Sequence, residues 1–205
     1  MRVTSSDFRT RPLDERGNIV AQDGTLDQRA HVAFAGRNNR LVIDGQVRLD
    51  KVTIRFRGDN AQVTIGALAP GERLSLDLSV ADGAKIEIGA NVTTEKVLTV
   101  ATTDGAHVRI GAGSHLGNNV SIVADDSRRL GPRQDERRND VTIGANVWIM
   151  RATEVRAGAN IGDGAVLEMV PLVDDELPAG MLVRGLPATA VRPVTWDPES
   201  LTASR

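Results

Sequence analysis

The chain has no cysteine, no tyrosine and three histidines, and its 205 residues hold two tryptophans and three phenylalanines. Without cysteine there is no disulfide, no thiolate metal site and no cysteine nucleophile, and no redox clue to compartment. His31, His107 and His115 are widely spaced and match no His-x-x-x-His pattern, which sets a zinc site aside. No apolar run reaches the roughly 18 residues of a membrane-spanning helix. Charges are scattered through the opening MRVTSSDFRTRPLDERGN, so the apolar stretch of a secretory signal is missing and the expected location is the cytoplasm. Neither sign of charge dominates: 25 Lys+Arg against 27 Asp+Glu leave a net charge of −2, unlike the basic surface of a nucleic-acid binder. No Gly-rich phosphate loop, nucleophile elbow or dinucleotide fingerprint is present.

What the chain does have is a period. Ile143, Ile149, Val155, Ile161, Leu167 and Val173 fall six apart without a slip, and Val147, Thr153, Ala159 and Ala165 stand four positions after the first four of them, small enough for a corner. Gly144 and Gly162 directly follow two of the aliphatics, where a missing side chain relieves the backbone at a bend. A second run is Ile110, Leu116 and Ile122, with Gly111 and Gly117 after the first two. A period of six is neither helical nor simple alternation. It fits a short strand and a turn, repeated, with the aliphatic pointing inward from each flat face. Three hexads make one coil and place Ile143 over Ile161, the mark of a parallel β-helix. The shortage of aromatics agrees, because thin identical layers admit only small branched side chains. Upstream, Ile43, Ile65, Ile88 and Ile110 are 22, 23 and 22 residues apart, within LVIDG, VTIGA, IEIGA and VRIGA. These read as the same coil with about four extra residues in one corner loop. The strict spacing after residue 143 favours the left-handed form; a right-handed β-helix, with longer and less regular coils, is the alternative.

The expected organisation is therefore all-β: a left-handed parallel β-helix over residues 37–173, a lead-in or cap over 1–36 that shows no hexad, and a proline-containing tail over 174–205. Pro178, Pro187, Pro193 and Pro198 oppose sheet pairing. The solenoid is expected to end near Val173, with the tail folding back to cover the last edge. Between Ile122 and Ile143 the segment VADDSRRLGPRQDERRND is polar, with both signs mixed. It makes a protruding loop at 123–140, either a functional element or a solvated surface loop.

The stretches VTIGANVWI (141–149), GANIGDGAVL (158–167) and LPAGMLVRGLPATAVR (177–192) resemble the hexapeptide-repeat acyltransferases with a left-handed β-helix, and within them the polysaccharide O-acetyltransferase-like branch. The resemblance runs over residues 38–192. It implies acetyl transfer from acetyl-CoA to a hydroxyl of a sugar or polysaccharide precursor, by a homotrimer whose active site lies between neighbouring subunits. CoA would lie along the coils against backbone amides and small residues. A histidine on the long loop would act as general base, and backbone N–H groups would stabilise the oxyanion.

The positions that carry the family's chemistry depart from its pattern. The loop of the family reads I-x-T-S-D-S-H-S-I; here Asp126 and Ser127 match, and Arg128 stands at the histidine. Arginine stays protonated and cannot be a general base at neutral pH. Met150 replaces the glycine of VWIG, Glu168, Met169 and Val170 replace small residues, and Gly185-Leu186-Pro187-Ala188 lacks the asparagine of GNPA. Met150, Glu168 and Gly185 are thus the groove positions a CoA would meet, and Glu168 is expected to repel its pyrophosphate. His115, one residue before Leu116 as Trp148 is before Ile149 in the next coil, is the candidate displaced base, with Asp125 or Asp126 orienting it; the alternative is an exposed histidine packed on the indole. Arg128, Arg129 and Trp148 are candidate sugar contacts, the guanidinium groups suiting carboxylates or phosphates. Surface pairing of loop arginines with Asp125, Asp126, Asp135, Glu136 and Asp140 is the plainer reading of the same charges, and a subunit contact that of Trp148. Two functions stay open: an acyl-CoA-dependent O-acyltransferase, or a catalytically lapsed homologue that serves as a binding or scaffolding subunit, its 123–140 loop meeting a protein partner.

Overall fold

The computed structural model describes residues 14–22, 30–45, 47–125 and 139–197. Three sheets wrap one core. The first runs β1 (Ile19–Gln22), β3 (Arg40–Ile43), β5 (Gln62–Ile65), β7 (Lys85–Ile88), β10 (His107–Ile110), β13 (Val141–Ile143), β16 (Asn160–Ile161) and β19 (Glu176–Leu177). The second runs β2 (Ala30–Phe34), β4 (Leu49–Phe56), β6 (Leu74–Val80), β9 (Leu98–Thr102), β12 (Ser121–Ala124), β15 (Glu154–Arg156) and β18 (Leu172–Val173). The third runs β8 (Thr93–Thr94), β11 (His115–Asn118), β14 (Trp148–Arg151), β17 (Val166–Glu168), β20 (Met181–Arg184) and β21 (Thr189–Pro193). Every pairing is parallel except β20 with β21. The architecture is a left-handed parallel β-helix.

The core is a set of ladders. Ile43, Ile65, Ile88, Ile110, Ile143, Ile161 and Leu177 are successive register partners in the first sheet. Leu116, Ile149, Leu167 and Val183 are partners in the third, and Ile122, Val155 and Val173 in the second. All are buried, as are the small corner residues Val147, Thr153, Ala159 and Ala165. Each fully buried aliphatic contributes about 1.5–3 kcal/mol, so one branched side chain per face suffices to hold a layer. The glycines after the aliphatics serve another purpose than the bend: a Cβ on Gly144 would overlap Asp163, and one on Gly162 would overlap Ala179 of the next coil. The left-handed backbone falls two residues later, at Asn146 (φ 52°) and Gly164 (φ 68°), where asparagine and glycine are tolerated best.

Both expected boundaries of the solenoid move outward. Within the stretch expected as a cap, Ile19–Gln22 (β1) pairs with β3 and Ala30–Phe34 (β2) with β4, as members of two sheets. Nor does the solenoid stop near Val173: β19 and β20 continue the first and third sheets. The prolines do not prevent this, since Pro178 and Pro187 lie outside strands and Pro193 ends the edge strand β21, where no ladder N–H is needed.

Candidate functional site

The outer face of the third sheet gathers the chemistry. Successive residues of a strand point to opposite faces, so the residue before each inward aliphatic faces out. Thr93, His115, Trp148, Val166 and Leu182 form that outer row, in register from strand to strand. The inserted segment between Ile122 and Ile143 leaves the register intact, and His115 and Trp148 are direct neighbours as the spacing implies. Their rings meet edge to face, with centroids 6.4 Å apart.

His115 is not the exposed histidine that one reading of the spacing offered; only 4% of it is accessible. Its Nδ1 is 2.8 Å from the Thr93 hydroxyl, and its Nε2 is 3.5 Å from Glu95 Oε1. Thr93 and Glu95 are contacts the motif reading missed, although the 22-residue coil step counted back from His115 lands on Thr93. Glu95 is 45% exposed and stands too far for a good hydrogen bond, so it is the movable partner. Thr93 is the fixed one. On the other side, Trp148 carries a second indole: Trp196, after β21, lies with its ring centroid 5.5 Å from that of Trp148. It donates from Nε1 to the Asn146 carbonyl at 2.7 Å. Trp148 Nε1 is buried and meets no hydrogen-bond partner among the described residues. Val166 and Leu182 of the same outer row are also buried, though they do not belong to the main core cluster.

The groove positions lie on the next row. Met150 and Glu168 follow the inward Ile149 and Leu167, and Glu168 is in register with Arg184. The Arg184 guanidinium donates from Nε to Glu168 Oε2 at 2.7 Å and makes a second contact through Nη2. The repulsion expected of a bare Glu168 carboxylate is thereby cancelled within the sheet. Gly185 follows β20 at φ 85° and donates its N–H to the Met169 carbonyl. Asp126, Arg128 and Arg129 lie outside the described residues. Asp140, where the chain returns from the loop, accepts the His107 N–H at 2.8 Å. His107 Nε2 lies 3.2 Å from Glu87 Oε1, and His31 is exposed on β2. Among the described residues no cluster of three His, Cys, Asp or Glu could hold a metal, and no helix is long and apolar enough to cross a membrane.

No family model matches the chain. Over 128 residues it is 32% identical to "Putative acetyltransferase YJL218W" of Saccharomyces cerevisiae, a match that takes in 60% of this chain and 63% of that one. Over 119 residues it is 28% identical to the galactoside O-acetyltransferase of Escherichia coli, covering 55% and 56%. The chain is similar to acetyltransferases. It spans less than two thirds of the length of these curated relatives. The crystal structure of the polySia-specific acetyltransferase NeuO superposes with a TM-score of 0.68 over 92% of this chain and 98% of that one, at 22% identity. That likeness establishes the fold.

Proposed function

We propose that the chain is an acyl-CoA-dependent O-acyltransferase acting on a sugar or polysaccharide precursor, as a cytoplasmic homotrimer. The observation that carries this reading is the His115 constellation, a buried imidazole held by Thr93, faced by the Glu95 carboxylate and flanked by Trp148. It stands on a fold and a sequence both similar to acetyltransferases. In the tautomer whose Nδ1–H donates to Thr93, Nε2 carries the lone pair. A sugar hydroxyl that displaces Glu95 meets that lone pair and gives up its proton as its oxygen attacks the acyl carbonyl. The new C–O bond replaces the C–S bond, and the proton passes from Nε2 to the departing thiolate. Thr93 keeps its hydrogen bond to Nδ1 throughout and so holds the ring in place while Nε2 carries the proton. Acetyl-CoA supplies the activated acyl group. The row of Met150, Glu168 and Gly185 suits its backbone-lined groove, because the Glu168–Arg184 pair leaves that strip without net repulsion and Arg151 adds an exposed cation. Arg128 and Arg129 would meet anionic groups of the acceptor.

The test is CoA release from acetyl-CoA with galactosides and sialic acid oligomers as acceptors. Saturable transfer is expected, with kcat/KM lowered about a hundredfold or more in His115→Ala. If the folded protein releases no CoA and shows no calorimetric binding of acetyl-CoA or CoA at millimolar concentration, the reading falls. The second reading then holds: a lapsed homologue serving as a binding subunit, with the 123–140 loop as its contact to a protein partner. The specific feature favouring it is Arg128 at the position where the similar family carries its histidine.

A further inference from the structure

The two indoles of the chain sit on one another, although Trp148 belongs to the third sheet and Trp196 to the segment beyond its last strand. That segment is guided there. The β20–β21 hairpin turns the chain back along the sheet, the Val194 N–H donates to the Gly180 carbonyl, and Trp196 Nε1 donates to the Asn146 carbonyl. The underside of this cover is not well satisfied. Among the described residues Trp148 Nε1 is a buried donor with no acceptor, and a donor left unmade in the interior costs free energy. Among the described residues, a side-chain hydrogen bond and a tilted ring contact hold the Trp196 ring against the Trp148 indole, whose own buried N–H makes no hydrogen bond there. A pyranose offers both complements, an apolar ring face for the indole and hydroxyl oxygens for the donor. We propose that residues 194–197 form a displaceable strap that competes with the acceptor sugar for the Trp148–His115 face. The inference rests on the acyltransferase reading, because that reading places a sugar there.

The chain itself carries the probe. With two tryptophans and no tyrosine, tryptophan fluorescence and the indole bands of near-ultraviolet circular dichroism report this pair alone. In Trp196→Phe a ring still covers Trp148; in Trp196→Ala nothing does, and both changes lie beyond the last strand. The full chain is expected to show a coupled indole signal that a saturating galactoside diminishes. Acrylamide should quench Trp148 at least about threefold better in Trp196→Ala than in Trp196→Phe, and galactoside binding by calorimetry should tighten by about threefold or more in Trp196→Ala, because removing the strap raises the binding-competent fraction. Equal quenching in the two variants overturns the strap while acetyl transfer by the full chain keeps the enzymatic reading. Weaker galactoside binding in Trp196→Ala also overturns it, making Trp196 a wall of the site. If no variant binds the sugar or transfers acetyl, the enzymatic reading falls and the strap falls with it.

Discussion

The wide coils before residue 93 and the narrow ones after residue 141 build the same solenoid differently. In the first sheet the inward isoleucines of the wide coils are 22 or 23 residues apart, whereas Ile143 and Ile161 are 18 apart and Ile161 and Leu177 only 16. The earlier wide coils spend their extra length on long second-sheet strands, eight residues in β4 and seven in β6, and contribute no strand to the third sheet, where the last of them, from Ile88 to Ile110, adds only the two residues of β8. They have room for rings: Phe34 stacks on Phe56 with centroids 4.8 Å apart. The narrow coils use strands of two to four residues. What stays constant is the inward ladder; corners absorb the rest. The candidate site is confined to the third sheet, the face that only the later coils possess.

Five measurements test that contrast, the largest effect first. Gly117 packs against the first narrow coil, and a Cβ there would overlap the Met150 carbonyl oxygen. Gly71 has open space around it and a φ of +91°. Gly117→Ala should therefore cost about 4 kcal/mol or prevent folding, against about 1–2 kcal/mol for Gly71→Ala, which bears the backbone penalty alone. Urea unfolding decides, and equal costs would break the contrast. Ile149→Ala should lose about 4 kcal/mol and Ile54→Ala about 2.5 kcal/mol, because in a narrow layer no second side chain can lean into the cavity.

At the site, Thr93→Val removes the hydroxyl that fixes His115 Nδ1. It should lower kcat/KM between about tenfold and a hundredfold through misorientation, with a shift in the pH profile and little change in unfolding. Arg184→Ala opens an exposed ion pair and should cost about 0.5 kcal/mol, a difference that high salt erases. The smallest effect belongs to the first corner. Partial burial pushes the Asp14 carboxyl up, but hydrogen bonds from the Asn18 side chain and the Asn18 and Arg16 N–H groups outweigh it and hold its pKa below the ordinary carboxylate value. A lowered carboxylate stabilises the fold above its unfolded pKa and loses that contribution as pH falls through the folded value. Asp14→Asn should flatten that acid limb of the stability curve, and an unchanged limb would remove Asp14 from it.

The sequence made the narrow coils plain because a period of six fits neither a helix nor an alternating strand, and each inward position proved buried. It hid the ends. The first coil carries no hexad, yet Val20 and Val32 are buried in strands β1 and β2. At the other end, prolines read as stops stand in turns and on an edge, where they cost a sheet nothing. The His115–Trp148 contact was readable because it repeats the ladder by one coil. Glu95 was less so, since it stands just beyond β8 and reaches back to the ring. Trp196 was not readable at all: its contact depends on the tail reversing at β21, and no periodicity links it to Trp148.

The ladder also bears on where new function can be attached. Ile110 and Ile143 are register partners although 33 residues separate them. β12, just before the long segment, still pairs with β9 and β15 on either side, and β13, just after it, with β10 and β16. Each rung responds to the rung above and the rung below, and contour length between them goes unmetered. The corner from Asp125 to Asp140 is accordingly a socket. Whatever is spliced into it leaves from the second sheet and returns to the first at a fixed height, and can be exchanged for another insert without any core residue having to change.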